Sequence, residues 1–310
     1  QVKAKSATIE VALFVINIRY KNMQNKGLRA YIQEAQEKGV AIGHFNFSSF
    51  DVAKAIVKAA QELDVPVILG LSEGERDFVG IYEAMAYVKA VREHVYDKVF
   101  LSADHTYTCE RVVAVVEAGF DMVIFDGASE ELEKNIEKAT QCRNLITEMN
   151  QKRGTDILFE AELGYIGKSS KVLDSLPEGL QMTSCVDAQH FVGAVLPDLF
   201  APAVGNVHGM LRNVPDPKLD SVRVGEIFGV AKVPLVLHGA SGNSKEDIQA
   251  CIKKGVAIVH INTEIRVAYK NALIKNLATE EIAPYKYLDA TENEVKEVVK
   301  EKIKIFSFLP

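Results

Sequence analysis

The chain has 310 residues, 48% of them hydrophobic, and a formal net charge of −6. That length and composition support a large core, as one α/β barrel or as two smaller domains. The charge is spread without a long run of one sign, which excludes the basic patch that nucleic acid requires. A locally positive site for a small anion stays open on an acidic protein.

No apolar run nears the ~20 residues that span a bilayer. Val11–Ile18 is apolar but short, and no small-residue cleavage signature follows it. Residues 1–22 match no later pattern and read as an N-terminal extension or expression remnant ahead of a single domain over 23–310. Cys109, Cys142, Cys185 and Cys251 form no CxxC pair. They read as reduced thiols, which goes with a cytoplasmic location and no membrane.

From Gly27 onward, short apolar runs alternate with segments of helical period. The runs are Val40–Phe47, Val65–Leu71, Lys98–Asp104, Asp121–Asp126, Asp156–Leu163, Asp198–Gly205, Val233–His238 and Ala257–Asn262. Continuous apolar strands alternating with helices predict a parallel sheet covered on both faces. Eight such units predict a (β/α)8 TIM barrel. The alternative is a doubly wound open sheet, but no glycine-rich dinucleotide fingerprint follows the first run.

Between the runs, Phe50–Leu63 carries a helical stripe of Val52, Ala55, Ile56, Ala59, Ala60 and Leu63. Val79–His94 and Leu132–Met149 read the same way. Thr291–Phe306 reads as a charged amphipathic helix, with Thr291 as N-cap and Glu294 completing a capping box.

Polar residues gather at the C-terminal ends of the runs, where barrel enzymes build their sites. In chain order these are Asn46, Ser72, Asp104-His105, Asp126, Glu160 with Glu162, His208, His238, and His260 with Asn262. His105, His208 and His238 offer three imidazoles to one rim, a catalytic zinc arrangement with an open position. His94 and His190 fall on helices, and His44 lies within the first run; these three read as structural. Asp104, beside His105, is placed to exchange a proton with a substrate hydroxyl. Asp126, Glu160 and Glu162 are candidates to orient the ligands or to hold a second metal. Glycine-bearing turns at 207–212 and 238–242, and the helix start at Asn262-Thr263, suit a phosphate.

Several of these stretches carry a resemblance. They are Ala103-Asp-His105, Phe125-Asp-Gly127, Glu160-Ala-Glu-Leu-Gly164, Ala201-Pro-Ala-Val-Gly-Asn-Val-His-Gly209, Leu235-Val-Leu-His-Gly-Ala-Ser-Gly242 and Ile261-Asn-Thr-Glu264. The chain resembles class II fructose-bisphosphate aldolases from Gly27 to about Phe308. Its length and its tail Pro284–Phe308 look like the shorter subgroup that includes tagatose-bisphosphate aldolases. The resemblance implies zinc or another divalent metal on His105, His208 and His238, with a monovalent cation as an optional addition. It implies Asp104 as acid/base, and Asn46 and Ser72 near the dihydroxyacetone-phosphate half of the substrate. It implies Gly209, Arg212, Gly239, Ser241 and Thr263 at the phosphate, with Asn262 among the substrate-binding residues. Arg266 resembles an arginine that reaches a second phosphate, and a homodimer or homotetramer is expected.

The chain departs from the family at His260, usually asparagine, and at Asn262, commonly aspartate. The loop Gly167–Leu173 lacks the paired acidic residues of the longer subgroup. His260 is expected to face inward and to bond the enediolate, titrating near the unperturbed imidazole pKa of about 6.5. A Schiff-base mechanism is disfavoured, because no lysine stands at the rim end of a strand. The activity expected is reversible cleavage of a ketose 1,6-bisphosphate, fructose 1,6-bisphosphate first. The alternatives are a tagatose-bisphosphate aldolase, another metal-dependent sugar-phosphate lyase or isomerase, and a silent sugar-phosphate-binding barrel.

Overall fold

The computed structural model describes residues 26–167, 171–212 and 216–310. The extension expected over 1–22 and the middle of the Gly167–Leu173 loop lie outside these residues. Each of the eight apolar runs forms a strand: β1 (Ile42–Asn46), β2 (Val67–Leu71), β3 (Val99–Thr106), β4 (Met122–Asp126), β5 (Leu158–Leu163), β7 (Leu199–Pro202), β9 (Leu235–Leu237) and β10 (Val256–Ile261). They close into one barrel, every pairing parallel. Outside it, the short strands β6 (Val172–Leu173) and β8 (Met210–Leu211) pair the loop after β5 with the loop after β7.

The period-two alternation of strands explains where chemistry can occur. Ile42, Ile68, Phe100, Met122, Leu158 and Ile258 belong to one buried cluster inside the barrel. Two and four residues further along the same faces stand His44 and Asn46, Gly70 and Ser72, Ser102 and Asp104, Ile124 and Asp126, Glu160 and Glu162, and His260 and Asn262. The interior therefore changes from apolar to polar towards the C-terminal rim. Helix α1 (Leu28–Lys38) places Leu28, Ile32 and Ala35 in the same apolar cluster and closes the other end. The alternate strand positions, such as Phe45, Leu69, Leu101, Val123 and Phe159, pack against the helical layer.

Around the barrel run α2 (Phe50–Leu63), α3 (Glu73–Val79), α4 (Ile81–His94), α5 (Cys109–Ala118), α6 (Leu132–Arg153), α7 (Cys185–Val195), α8 (Ser221–Ala231), α9 (Lys245–Ile252), α10 (Thr263–Leu277) and α11 (Pro284–Phe306). Two helix expectations need correcting. Gly80 separates α3 from α4 inside the span where one start at Val79 was expected. The last helix begins at Pro284, not Thr291, because a proline fits the first turn, where its missing N–H costs nothing. Thr291 sits mid-helix and donates its hydroxyl to the Tyr287 carbonyl (2.8 Å).

The cysteine reading is also corrected. Cys109 at the start of α5 and Cys142 in α6 form a disulfide, with Cα atoms 5.3 Å apart. Neighbouring barrel helices bring the two together despite a sequence separation of 33. Cys185 and Cys251 are free. Reduction is expected to lower the unfolding free energy by roughly 2–4 kcal/mol, read as a lower urea midpoint with reductant than without. Among the described residues no helix is long and apolar enough to cross a membrane.

Candidate active site

The rim is assembled around an irregularity in β3. Its register with β4 shifts between Ala103 and Thr106. In a regular strand Asp104 and His105 would face opposite sides. Here His105 takes φ +39°, a left-handed conformation that costs a non-glycine residue energy. The bulge re-aims the chain, and both side chains end buried at the barrel mouth. Arg76, buried in α3, secures it. Its guanidinium donates to the carbonyls of Leu71 (2.5 Å) and Asp104 (2.8 Å) and to Thr106 Oγ1 (3.0 Å). Arg76→Ala would leave these acceptors unmet and is expected to cost on the order of 3 kcal/mol, read by denaturant titration.

Three imidazoles converge there. His105 Nε2 and His238 Nδ1 lie 3.2 Å apart, and His208 brings the ligand atoms of all three within 4.8 Å of one another. Two nitrogens on one tetrahedral zinc, each at ~2.0–2.1 Å, would lie about 3.3 Å apart, so the donor set fits such an ion. The outer nitrogens are spoken for. His105 Nδ1 donates to Asp126 Oδ2 (2.9 Å), with Glu162 Oε2 3.4 Å away. His238 Nε2 donates to Glu160 Oε1 (2.7 Å) in the tautomer that leaves Nδ1 bare. Carboxylates behind the rings thus aim the bare nitrogens at one point. The His208 N–H donates to the Ile166 carbonyl (2.8 Å), and buried Asn206 donates to the His238 carbonyl (2.9 Å). These bonds tie the loop after β7 to its neighbours on both sides.

The electrostatics agree with a cation site. Burial, reinforced by the charge of His105, pushes His208 and His238 down to about 3, so both are neutral, as ligands must be. Burial, then Asp104 beside Glu160 and Asp126 beside Glu162, raises both glutamates well above the usual range. Burial works against a proton on His105, but Asp104, Glu162 and Asp126 outweigh it and raise its pKa well above 6.5. The surrounding carboxylates thus favour a positive charge on His105, a proton that a bound cation would displace. Asp104 goes the other way: burial opposes ionisation, yet His105 and His260 hold it well below 3.8. Its Oδ2 accepts from Asn46 Nδ2 (2.8 Å), and its Oδ1 is 3.5 Å from His260 Nδ1.

His260 faces inward. Its ring stacks on His44 at 3.5 Å with the planes 2° apart, and lies 4.0 Å from the ring of His238. His44 therefore meets the site from below, and neither of its ring nitrogens has a hydrogen-bond partner among the described residues. A Cβ on Gly70 would come within 2.1 Å of His44 Cε1, so glycine is what leaves room for that ring. Burial, followed by His44 and His238, holds His260 well below 6.5. The near-neutral titration expected of a free imidazole is thus not what this pocket gives. His260→Asn is expected to keep kcat within about tenfold, less than the ~10²–10⁴ of a general acid or base; steady-state kinetics checks this.

Gly209, Gly239, Ser241, Asn262 and Thr263 line the same small cavity as Asn46, Asp104, His260 and the three imidazoles. Gly239 has φ +57°, and a Cβ there would lie 2.3 Å from the Val207 carbonyl oxygen. Thr263 opens α10 beside it, a helix start that suits an anion. Arg212 is not brought to this cradle. It points outward, half-exposed, its Nε 2.8 Å from Asp174 Oδ1. Ser72 and Arg266 line an adjoining cleft of about 890 Å³ with Tyr107, Tyr165 and Lys171. Of the expected structural histidines, His94 and His190 are exposed on α4 and α7. Sequence reasoning passed over Arg76, Asn206 and Glu75. The one legible signal was Ser72-Glu-Gly-Glu75, a capping box directly after a strand end.

A closed parallel barrel with three convergent imidazoles at its rim, beside a glycine-lined cavity, defines a class of (β/α)8 enzyme. The chain belongs to the class II fructose-bisphosphate aldolase family, whose model matches residues 26–308. It is thus an aldolase, a lyase, in a metal-dependent family. It is 34% identical over 280 residues to a probable fructose-bisphosphate aldolase of Bacillus subtilis, covering 89% of this chain and 95% of that protein. It is 32% identical over 284 residues to a fructose-bisphosphate aldolase of Staphylococcus epidermidis, covering 90% and 96%. The crystal structure of the YdjI aldolase from Escherichia coli K12 superposes with a TM-score of 0.76 at 26% identity, covering 91% of this chain and 96% of that one.

Proposed function

We propose that the chain reversibly cleaves a ketose 1,6-bisphosphate, fructose 1,6-bisphosphate first, into dihydroxyacetone phosphate and glyceraldehyde 3-phosphate. The observation that carries this is Asp104, a buried carboxylate lining the same cavity as three convergent imidazoles, Gly209 and Gly239. His105, His208 and His238 would hold a divalent ion, zinc by its donor set. Such an ion supplies Lewis-acid stabilisation of the negative charge that develops at the ketose C2 oxygen.

The protein's own groups do the rest. Backbone amides near Gly209, Gly239 and Ser241, with Thr263, hold the C1 phosphate and fix the reacting carbons. Asp104 takes the proton of the C4 hydroxyl as the C3–C4 bond breaks. The bonding pair passes to C3, the aldehyde departs, and C3 takes a proton from solvent while Asp104 releases its own to solvent. Condensation runs the same path backwards, Asp104 returning its proton. Asn46 keeps Asp104 in place, and Asp126 and Glu160 keep His105 and His238 aimed. A small sugar phosphate as the partner, assembly of two or four copies and a cytoplasmic location belong to this reading. The Cys109–Cys142 bridge pulls against that location, because cytosolic thiols are normally reduced.

The test is a coupled cleavage assay of fructose and tagatose 1,6-bisphosphates, with and without chelator and zinc add-back. Chelator-sensitive release of dihydroxyacetone phosphate is expected. Full activity after chelation, or no cleavage of either epimer, would overturn the reading.

A further inference from the structure

Glu75 sits at a junction of the site that the aldolase chemistry does not need. Its Oε2 accepts three hydrogen bonds of 2.8 Å, from Ser72 N, Ser72 Oγ and Asn46 Nδ2. Its Oε1 accepts from Arg266 Nη2 at 2.6 Å. The carboxyl group is buried, while the Arg266 side chain is 41% exposed towards the cleft. Two consequences follow. Asn46 donates through Nδ2 to both Glu75 and Asp104, so Glu75 and the catalytic carboxylate share one side chain. The positive charge of Arg266 is already matched. A dianion brought to Arg266 would stand beside Glu75, in a cleft whose lining sets Glu73, Asp104, Asp126 and Glu178 against Lys171 and Arg266 itself, and the surplus of like charge repels it.

We propose that Glu75 is a specificity-determining residue. By holding Arg266 it weakens the grip on a second phosphate at the end of the substrate remote from the cradle. Ketose 1-phosphates, whose remote end is a neutral polyol, then compete with bisphosphates for the same machinery. This rests on the aldolase reading. It adds the substrate class: the chain accepts an unphosphorylated hydroxyaldehyde in condensation as well as a phosphorylated one.

The test uses Glu75→Gln, which keeps one oxygen for Ser72 and Asn46 and removes the charge that holds Arg266. The readout is the ratio of kcat/KM for fructose 1,6-bisphosphate to that for fructose 1-phosphate. Glu75→Gln is expected to raise it by at least about tenfold, chiefly through KM for the bisphosphate, within the range for contacting pairs. In a double-mutant cycle, Arg266→Met should lower the bisphosphate kcat/KM about tenfold more in the Glu75→Gln background than in the wild type. An unchanged ratio, or an Arg266→Met effect equal in both backgrounds, overturns the proposal. Calorimetric titration with inorganic phosphate reads the same release without turnover. Glu75→Gln should bind phosphate more tightly or at one more site, and Arg266→Met should abolish the gain. If the wild type cleaves neither sugar, the aldolase reading falls, and the phosphate titration alone decides the role of Glu75.

Discussion

His208→Ala is expected to leave a folded protein that neither retains a divalent metal nor turns over substrate. His208 sits on a loop at the rim, outside the apolar barrel interior, so its loss opens no core cavity. The two remaining imidazoles, with His105 Nε2 and His238 Nδ1 3.2 Å apart, give an ion only two ring nitrogens, fewer than the three ligands of a catalytic zinc site. Lewis-acid assistance contributes several kcal/mol to charge stabilisation. At 1.36 kcal/mol per decade, losing it means a fall in kcat of at least about 10³-fold. Metal analysis after gel filtration, with kcat before and after zinc add-back, measures both. Asp126→Asn is the graded comparison. It keeps a partner for His105 Nδ1 but removes the charge, so metal affinity should drop only ~10–100-fold. A His208→Ala protein with stoichiometric metal and near-normal turnover would place the metal elsewhere.

The barrel was legible because each strand writes its environment into its composition. Eight apolar runs fell on the eight barrel strands, and the change from Ile42 to His44 to Asn46, or from Ile258 to His260 to Asn262, marks depth along the barrel axis. What stayed hidden depends on relations between segments. That Asp104 and His105 share a side follows from a register shift against β4, which no pattern within β3 encodes. The guanidinium that secures the shift comes from α3, 28 residues earlier, and looks in sequence like any helix arginine. The Cys109–Cys142 bridge needs the packing of α5 beside α6. Thr291 offered a capping-box pattern, but a cap is used only where the chain enters a helix, and Pro284 sets that entry seven residues sooner. Arg212 was expected at the phosphate from its place after the β7 turn. The pairing of β6 with β8 instead carries it along an outer ladder towards Asp174.

Asp104→Asn is expected to lose ~10²–10⁴-fold in kcat, the usual contribution of a general acid or base. KM and metal content should change little. The substitution is chosen for what it preserves. An asparagine oxygen can still accept from Asn46 Nδ2, now 2.8 Å from Asp104 Oδ2, and the amide fills the same buried volume. What it removes is the carboxylate that His105 and His260 keep ionised, and with it the capacity to take the C4 hydroxyl proton. Partial reactions sharpen the test. Exchange of a C3 proton of dihydroxyacetone phosphate with deuterated solvent involves no C4 hydroxyl, so the Asp104→Asn protein should retain it while cleavage and condensation fail. If exchange falls in parallel with cleavage, Asp104 acts by shaping the three-histidine centre rather than by moving a proton at C4. If cleavage falls by less than about tenfold, the proton goes to another group, and His260, with its Nδ1 3.5 Å from Asp104 Oδ1, is the next to substitute.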